Sequence, residues 1–110
     1  MSPPREEESL VGTERLVLRA MCQGTPQGSV REAAIQMLRD YNWREPVHQV
    51  VFNCVLEIPT ENRETVRNLL PERLTRKGFP DVEWEVFFEP HSLTQQDAEQ
   101  LMRELKASSR

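Results

Sequence analysis

Glycine and long apolar runs are scarce in this sequence. The 110 residues include 4 glycines, too few for the flexible, phosphate-cradling loops on which many small-ligand enzymes depend. No apolar run approaches the roughly 18 residues that a membrane-spanning helix needs. The first nine residues are polar, whereas a secretory signal peptide carries its apolar segment there. We therefore expect an intracellular, cytoplasmic protein without an elaborate active site.

Cysteine occurs only twice, at Cys22 and Cys54, in apolar surroundings and outside any CxxC or Cys/His ligand spacing. This placement favours two buried free thiols in a reducing cytosol over a disulfide. Neither histidine belongs to an HExxH-type motif, and the acidic residues lack the spacing of a calcium loop. The sequence therefore predicts no metal site and no cofactor.

An excess of positive charge is also missing, because 14 Lys and Arg stand against 18 Asp and Glu. Surfaces that bind DNA, RNA or anionic membranes without sequence preference need the opposite balance. One basic stretch runs from Arg63 to Lys77, but it lacks interleaved aromatic residues on which bases could stack. A solvated helix face is favoured for this stretch, and a nucleic-acid accessory protein that uses it remains an alternative.

The chain does contain apolar residues at helical spacing over most of its length. A chain of 110 residues fits one domain. We predict a disordered acidic tail at residues 1–8, a single helical domain at 9–107 and a frayed C-terminus at 108–110. The pattern predicts an all-α fold, a small bundle of about six helices.

Capping and turn residues delimit these predicted helices. A helix, a break at Pro71 and a second short helix are expected between residues 60 and 78. The other helices are predicted over residues 10–22, 29–42, 47–58, 81–88 and 94–106.

Two segments decide the fold class, because their valines and aromatics also suit strands. Apolar residues in 47–58 recur with a period near 3.6, and Pro46 and Pro59 stand where a helix begins and ends, so a helix is favoured. Apolar positions alternate in residues 82–88, but a lone strand there would lack a partner, so a short helix is favoured again. The alternative is an α+β domain with strands near 47–57 and 82–88 that dimerises through a sheet edge or senses a ligand.

Candidate catalytic groups are few and isolated. His48 suits proton transfer near neutral pH, but Cys54 points away from it on a helix and no other partner is evident. Glu83 and Glu85 form the densest acidic pair beside aromatics, which is also the appearance of a solvated face. His91 is isolated in a loop. The sequence therefore predicts a structural, hydrogen-bonded His48 and no enzymatic activity.

A protein-binding surface is the remaining expectation, because exposed aromatics beside charges mark such surfaces. The predicted surface joins three aromatic anchors to three basic residues that steer association: Trp84, Phe87, Phe88, Arg73, Arg76 and Lys77.

A motif in the first half of the chain resembles a known domain. A leucine-rich opening helix leads to Tyr41-Asn-Trp43, and Glu45-Pro-Val-His48 and Val50-Val-Phe52 follow. This order resembles the small helical domain at the N-terminus of bacterial replicative DNA helicases and at the C-terminus of DNA primases. The likeness covers about residues 10–58. The matching residues are Trp43, Pro46, His48, Val51 and Phe52.

The resemblance implies an all-helical bundle that binds proteins, without catalysis or cofactor, and a replicative helicase or primase as its partner. Elementary chemistry assigns the motif a local role as well, because Pro46 presets a helix start and Trp43 and Phe52 can pack across the turn. These 110 residues include neither a helicase motor nor a polymerase domain, and the part after Pro59 does not share the likeness.

Overall fold

The computed structural model describes residues 4–108, with side chains from residue 9 onward. The helices are α1 (Pro4–Gln23), α2 (Arg31–Leu38), α3 (Pro46–Glu57), α4 (Arg63–Arg76) and α5 (Gln95–Ser108), and a short 3-10 helix (Trp84–Phe88) precedes α5. Residues 4–108 contain no β-strand. The predicted all-α bundle is confirmed, and the α+β alternative is wrong.

Helix α1 is the central element of the bundle and contacts α3, α4, α5 and the 3-10 helix. Val17, Leu18 and Ala20 on this helix are fully buried. Buried apolar side chains from every helix join them in one hydrophobic core. Within residues 4–108, no helix combines the length and apolar content that crossing a bilayer requires.

The start of α1 differs from the prediction. Residues 1–3 of the predicted disordered tail lie outside the described part of the chain, and from Pro4 onward the backbone is helical. Proline favours the first helical position and glutamate is a good helix former, which suits a helix that begins here. The C-terminal end of α1 agrees with the prediction, because Gly24 follows the helix and has a positive φ of 79°, which glycine adopts easily.

Helix α3 confirms the prediction of a helix from the spacing of apolar residues in 47–58. Pro46 begins it, and the side chain of Glu45 accepts a hydrogen bond from the backbone N–H of Val47, which caps the first turn. The face that packs on α1 and α4 is fully apolar in the middle, with Val51 and Val55 completely buried. Burial on this face outweighs the strand preference of valine.

Helix α4 is continuous through Pro71, so the predicted break is wrong. Proline costs one backbone hydrogen bond, but Leu70 and Leu74 on either side are buried in the core and hold both halves in one helix. The helix begins later than expected, because the side chain of Asn62 accepts the capping hydrogen bond from the backbone N–H of Thr65 at 3.1 Å.

The 3-10 helix is anchored to α1 by polar side chains. Arg19 Nε donates to the carbonyl oxygen of Val86 at 2.6 Å, and its Nη2 donates to Glu89 at 2.8 Å. Gln23 Nε2 donates to the carbonyls of Phe87 and Glu89 at 3.0 and 2.7 Å. These bonds satisfy backbone carbonyls that so short a helix leaves open, and they fix the segment beside the start of α3.

Helix α5 begins with the predicted capping box. The backbone N–H of Thr94 donates to Asp97 Oδ2, and the backbone N–H of Asp97 donates to Thr94 Oγ1, both at 3.1 Å.

Helix α2 is shorter than predicted and ends at Leu38. The residues after it are therefore free to turn, and Tyr41 and Trp43 lie toward α1 and α3.

Candidate functional site

Helix α1 contributes one buried carboxylate to the bundle, that of Glu14. Glu14 is 0% exposed. Its Oε2 accepts hydrogen bonds from the Tyr41 hydroxyl at 2.5 Å and from the backbone N–H of Arg44 at 2.7 Å. Its Oε1 accepts from the backbone N–H of Glu45 at 3.3 Å and lies 2.8 Å from His48 Nδ1. We call these five residues the Glu14 cluster.

The hydrogen bonds decide the protonation state of Glu14. Burial alone raises the pKa of a carboxyl group, but the bonds from His48, the Arg44 N–H, Tyr41 and the Glu45 N–H outweigh it and lower the pKa of Glu14. Burial and the neighbouring carboxylate raise the pKa of Tyr41, so its hydroxyl stays a donor. The cluster is therefore a buried anion surrounded by donors.

His48 is oriented by this anion. An ionised carboxylate only accepts hydrogen bonds, so Nδ1 of His48 carries the hydrogen that points to Glu14. The imidazole also packs edge-on against Trp43 and Phe87, with ring centroids 6.4 and 5.9 Å away. His48 is thus held on three sides. This agrees with the prediction of a hydrogen-bonded histidine at the start of α3.

The motif residues of the first half meet at this cluster. The Trp43 ring lies 5.0 Å from both Tyr41 and Phe52, measured between ring centroids. Val51 is buried beside them on α3, whereas Pro46 is exposed at the helix start. Four of the five motif residues are therefore core residues around the α2–α3 loop, and their packing positions the beginning of α3.

One pattern in the sequence indicates that Glu14 needs buried partners. It occupies the same helical row as Leu10, Val17 and Met21, a row that is otherwise apolar. A charged residue on a buried helical row needs partners, because an unpaired buried charge is very costly. The pattern does not say that those partners come from residues 41–48, about thirty positions further along the chain.

A surface cavity of about 550 Å³ opens between α1, the start of α3 and the segment that leads to the 3-10 helix. Its lining consists of Arg15, Glu45, Val47, His48, residues 78–83, Val86 and Phe87. We call it the α3 cavity. Its volume lies within the range of sites that bind small ligands or side chains, about 300 to 1,000 Å³. Because Nδ1 of His48 is bound to Glu14, Nε2 is the ring nitrogen left for a molecule in this cavity.

The partner surface predicted from aromatic anchors needs correction. Phe87 and Phe88 are 2% and 7% exposed and belong to the core, because Arg19 and Gln23 hold the 3-10 helix against α1. Trp84 is half-buried, and its ring packs edge-on against Phe88. Among these aromatics, Trp84 alone retains substantial exposure.

The basic members of that surface are engaged with carboxylates. Glu57, at the end of α3, lies 2.8 Å from Lys77 and 3.7 Å from Arg73. Arg76 pairs with Glu72 one helical turn earlier, at 3.2 Å. These three bases therefore neutralise acids on α3 and α4, and Arg73 and Lys77 join the C-terminal ends of the two helices.

The remaining basic residues of the stretch from Arg63 to Lys77 cover aromatic rings. The guanidinium of Arg67 lies 5.4 Å from the ring centroid of Trp84, and that of Arg63 lies 5.9 Å from the ring of Phe88. Such cation–π contacts hold the cations against the fold. The stretch from Arg63 to Lys77 is thus a paired helix surface and a cover for the 3-10 helix.

The other candidate groups fall outside the cavity floor. His91 bridges two loops, since its Nε2 lies 3.0 Å from the carbonyl of Gly24 and its Nδ1 accepts from the N–H of Leu93. Glu83 and Glu85 are exposed. Cys22 and Cys54 are free and buried, as predicted, and burial raises the pKa of each thiol. Buried thiols with a raised pKa are poor nucleophiles.

No three His, Cys, Asp or Glu side chains within the described residues come together in a group that suits a metal ion. The cavity lining contains no hydroxyl, thiol or amine side chain. Its chemistry consists of one oriented imidazole, an apolar floor and charged groups at the mouth.

We expect acid to destabilise the protein through the Glu14 cluster. The pKa of Glu14 in the fold lies below its ordinary value of about 4.5, so the ionised group stabilises the fold above that value. This contribution is lost as the pH falls through about 4.5 toward the lower folded pKa. Urea unfolding from neutral pH down to about pH 3 measures the effect.

The Glu14→Gln variant isolates this contribution from other carboxylates such as Glu57, whose pKa Lys77 also lowers. We expect Glu14→Gln to have a flatter dependence of unfolding free energy on pH than the native chain. Glu104→Gln, an exposed position on α5, is the matched control and keeps the native slope. Equal slopes for all three proteins would contradict the assignment.

Comparisons of the chain with protein-family models, curated proteins and solved structures found no match.

Proposed function

We propose that this chain is a non-enzymatic protein–protein interaction domain and that the α3 cavity is its binding site. The observation that supports the proposal is the set of half-buried apolar side chains at this cavity: Val47, Phe79, Val82 and Val86. They pack on the core from one side and leave apolar area in contact with water. A partner that covers this area gains the free energy of burying it.

The resemblance of residues 10–58 selects the first partners to test. In the replicative helicases and primases that share the motif, the domain serves protein contact. The α3 cavity is built on the same segment, since Glu45, Val47 and His48 line it. We therefore propose a replicative helicase or primase as the partner.

A binding role fits the cavity better than catalysis. His48 is the only oriented proton carrier among the lining residues, and it has no nucleophile beside it. The carboxylates Asp81 and Glu83 are exposed at the mouth and are not held beside a nucleophile. The site offers a cavity of defined shape and charged groups at its mouth, and these are the features that recognition of a partner molecule requires.

A protein partner also fits better than a nucleic acid. The basic residues from Arg63 to Lys77 already contact carboxylates or aromatic rings of their own chain. Phosphates would have to displace these contacts, and the net charge of −4 opposes their approach.

Calorimetric titration of the purified chain with the purified helicase and the purified primase of the same organism tests the proposal. We expect micromolar binding to one of them, about −8 kcal/mol, and a loss of at least tenfold in affinity for Val82→Asp. Because Val82 is half-buried and lines the cavity, a carboxylate there removes apolar area without emptying the core.

Ile35→Asp is the matched control, because Ile35 is also half-buried and branched but lies on α2, away from the cavity. It should bind as the native chain does, with circular dichroism showing that both variants are folded. Absence of binding to both partners, or equal losses for Val82→Asp and Ile35→Asp, would overturn the proposal.

A further inference from the structure

The mouth of the α3 cavity carries an uneven charge. Three carboxylates line it, those of Glu45, Asp81 and Glu83, against the single guanidinium of Arg15. Asp81, Glu83 and Arg15 are exposed, whereas Glu45 is half-buried because its side chain caps α3. The apolar floor therefore opens through a rim with two more negative than positive groups.

The acids at this rim differ from many others on the surface. Several exposed carboxylates elsewhere have cationic partners, among them Glu57 with Lys77, Glu72 with Arg76 and Glu89 with Arg19. Among the side chains that the structure describes, those of residues 9–108, no ion pair includes Asp81 or Glu83. Their charge is thus available to a molecule that enters the cavity.

We propose that the α3 cavity binds a protein segment in which a bulky apolar side chain is flanked by lysine or arginine. The apolar side chain lies against Val82, Val86 and the edge of Phe87, and the flanking cations reach Asp81 and Glu83. This inference rests on the proposed function, because it gives the chemistry of the segment that the binding domain recognises.

The two parts of the site have separate tasks. Burial of an apolar side chain supplies affinity, since it removes apolar area of both molecules from water. Charge complementarity at the exposed rim supplies selectivity and association rate more than affinity. Acidic or phosphorylated segments are repelled by the same rim, so the site discriminates between sequences of equal hydrophobicity.

Three labelled peptides of equal length test the inference by fluorescence anisotropy. The first has a leucine and a phenylalanine flanked by lysines, the second replaces the lysines by glutamates, and the third keeps the lysines but replaces both apolar residues by serine. We expect the first to bind about tenfold more tightly than either of the others at low salt. The difference between the first and second should shrink as salt is added.

A charge-reversed chain locates the effect. In the double variant Asp81→Lys, Glu83→Lys we expect the preference for lysine over glutamate to be lost or inverted. The double variant Asp40→Lys, Glu104→Lys reverses two exposed acids that do not line the cavity, and it changes the net charge equally. This control should keep the native preference.

The outcomes separate this inference from the proposed function. Equal binding of the lysine and glutamate peptides, or equal losses in both double variants, would overturn the inference. If Val82→Asp still abolishes binding to the helicase or primase, the interaction site stands while its proposed charge selectivity falls. Selective peptide binding without binding to either protein would support the inference and remove those two partners.

Discussion

Replacement of Glu14 by alanine is expected to lower the free energy of unfolding by about 3–5 kcal/mol, a large share of the roughly 5–15 kcal/mol of a domain of this size. The substitution leaves the Tyr41 hydroxyl, His48 Nδ1 and the N–H groups of Arg44 and Glu45 without their acceptor. Buried donors without an acceptor are costly, because they lose water without gaining a partner. Urea unfolding followed by far-UV circular dichroism measures the loss.

Two variants show whether the loss comes from the cluster. Glu104→Ala removes an exposed carboxylate from α5 and should change the unfolding free energy by no more than about 0.5 kcal/mol. Tyr41→Phe removes one donor and should cost about 1 kcal/mol. Combined with Glu14→Ala, Tyr41→Phe should cost less than the sum of the single losses, because both remove the same hydrogen bond. A loss below about 1 kcal/mol for Glu14→Ala would contradict the buried-anion interpretation.

The Glu14 cluster links stability to the candidate site through the backbone. Two of its hydrogen bonds come from the N–H groups of Arg44 and Glu45, immediately before α3. They fix where α3 begins, and hence where Val47 and His48 stand in the cavity lining. The buried charge thus positions two residues of the cavity lining, Glu45 and His48, without lining the cavity itself.

Local information in the sequence was sufficient for most of the fold. The period of apolar residues between Pro46 and Pro59 identified α3 against the strand preference of its valines, and Thr94 with Asp97 identified the start of α5. These signals depend on neighbours within a helical turn or two. They could be read without knowing the rest of the structure.

Features that depend on distant residues could not be predicted in this way. Phe87 and Phe88 end a segment in which apolar and acidic residues alternate, yet both are buried because Arg19 and Gln23 bind the carbonyls around them. The partners of Glu14 lie in another part of the chain. Pro71 is the reverse case, where a reliable local rule predicted a break and core packing around it overrode the rule.

Removal of the Phe87 ring is the second change with a large expected effect. Phe87 is 2% exposed, and its ring packs against the imidazole of His48 at 5.9 Å between centroids. We expect Phe87→Ala to lower the unfolding free energy by about 3–5 kcal/mol, since it removes buried apolar area and leaves a cavity beside the Glu14 cluster. Phe87→Leu fills part of that space and should cost clearly less. Thermal and urea unfolding of both variants measure the losses.

Phe79→Ala is the control, because Phe79 lines the same α3 cavity but is half-buried. Its loss should be about 1 kcal/mol, as for a side chain that water already reaches. The coupling free energy between Phe87→Ala and Tyr41→Phe should be smaller than that between Glu14→Ala and Tyr41→Phe. The reason is that the Phe87 ring contacts His48 but makes no hydrogen bond. If Phe87→Ala costs no more than Phe79→Ala, the 3-10 helix does not close the core beside His48, and the floor of the α3 cavity lies elsewhere.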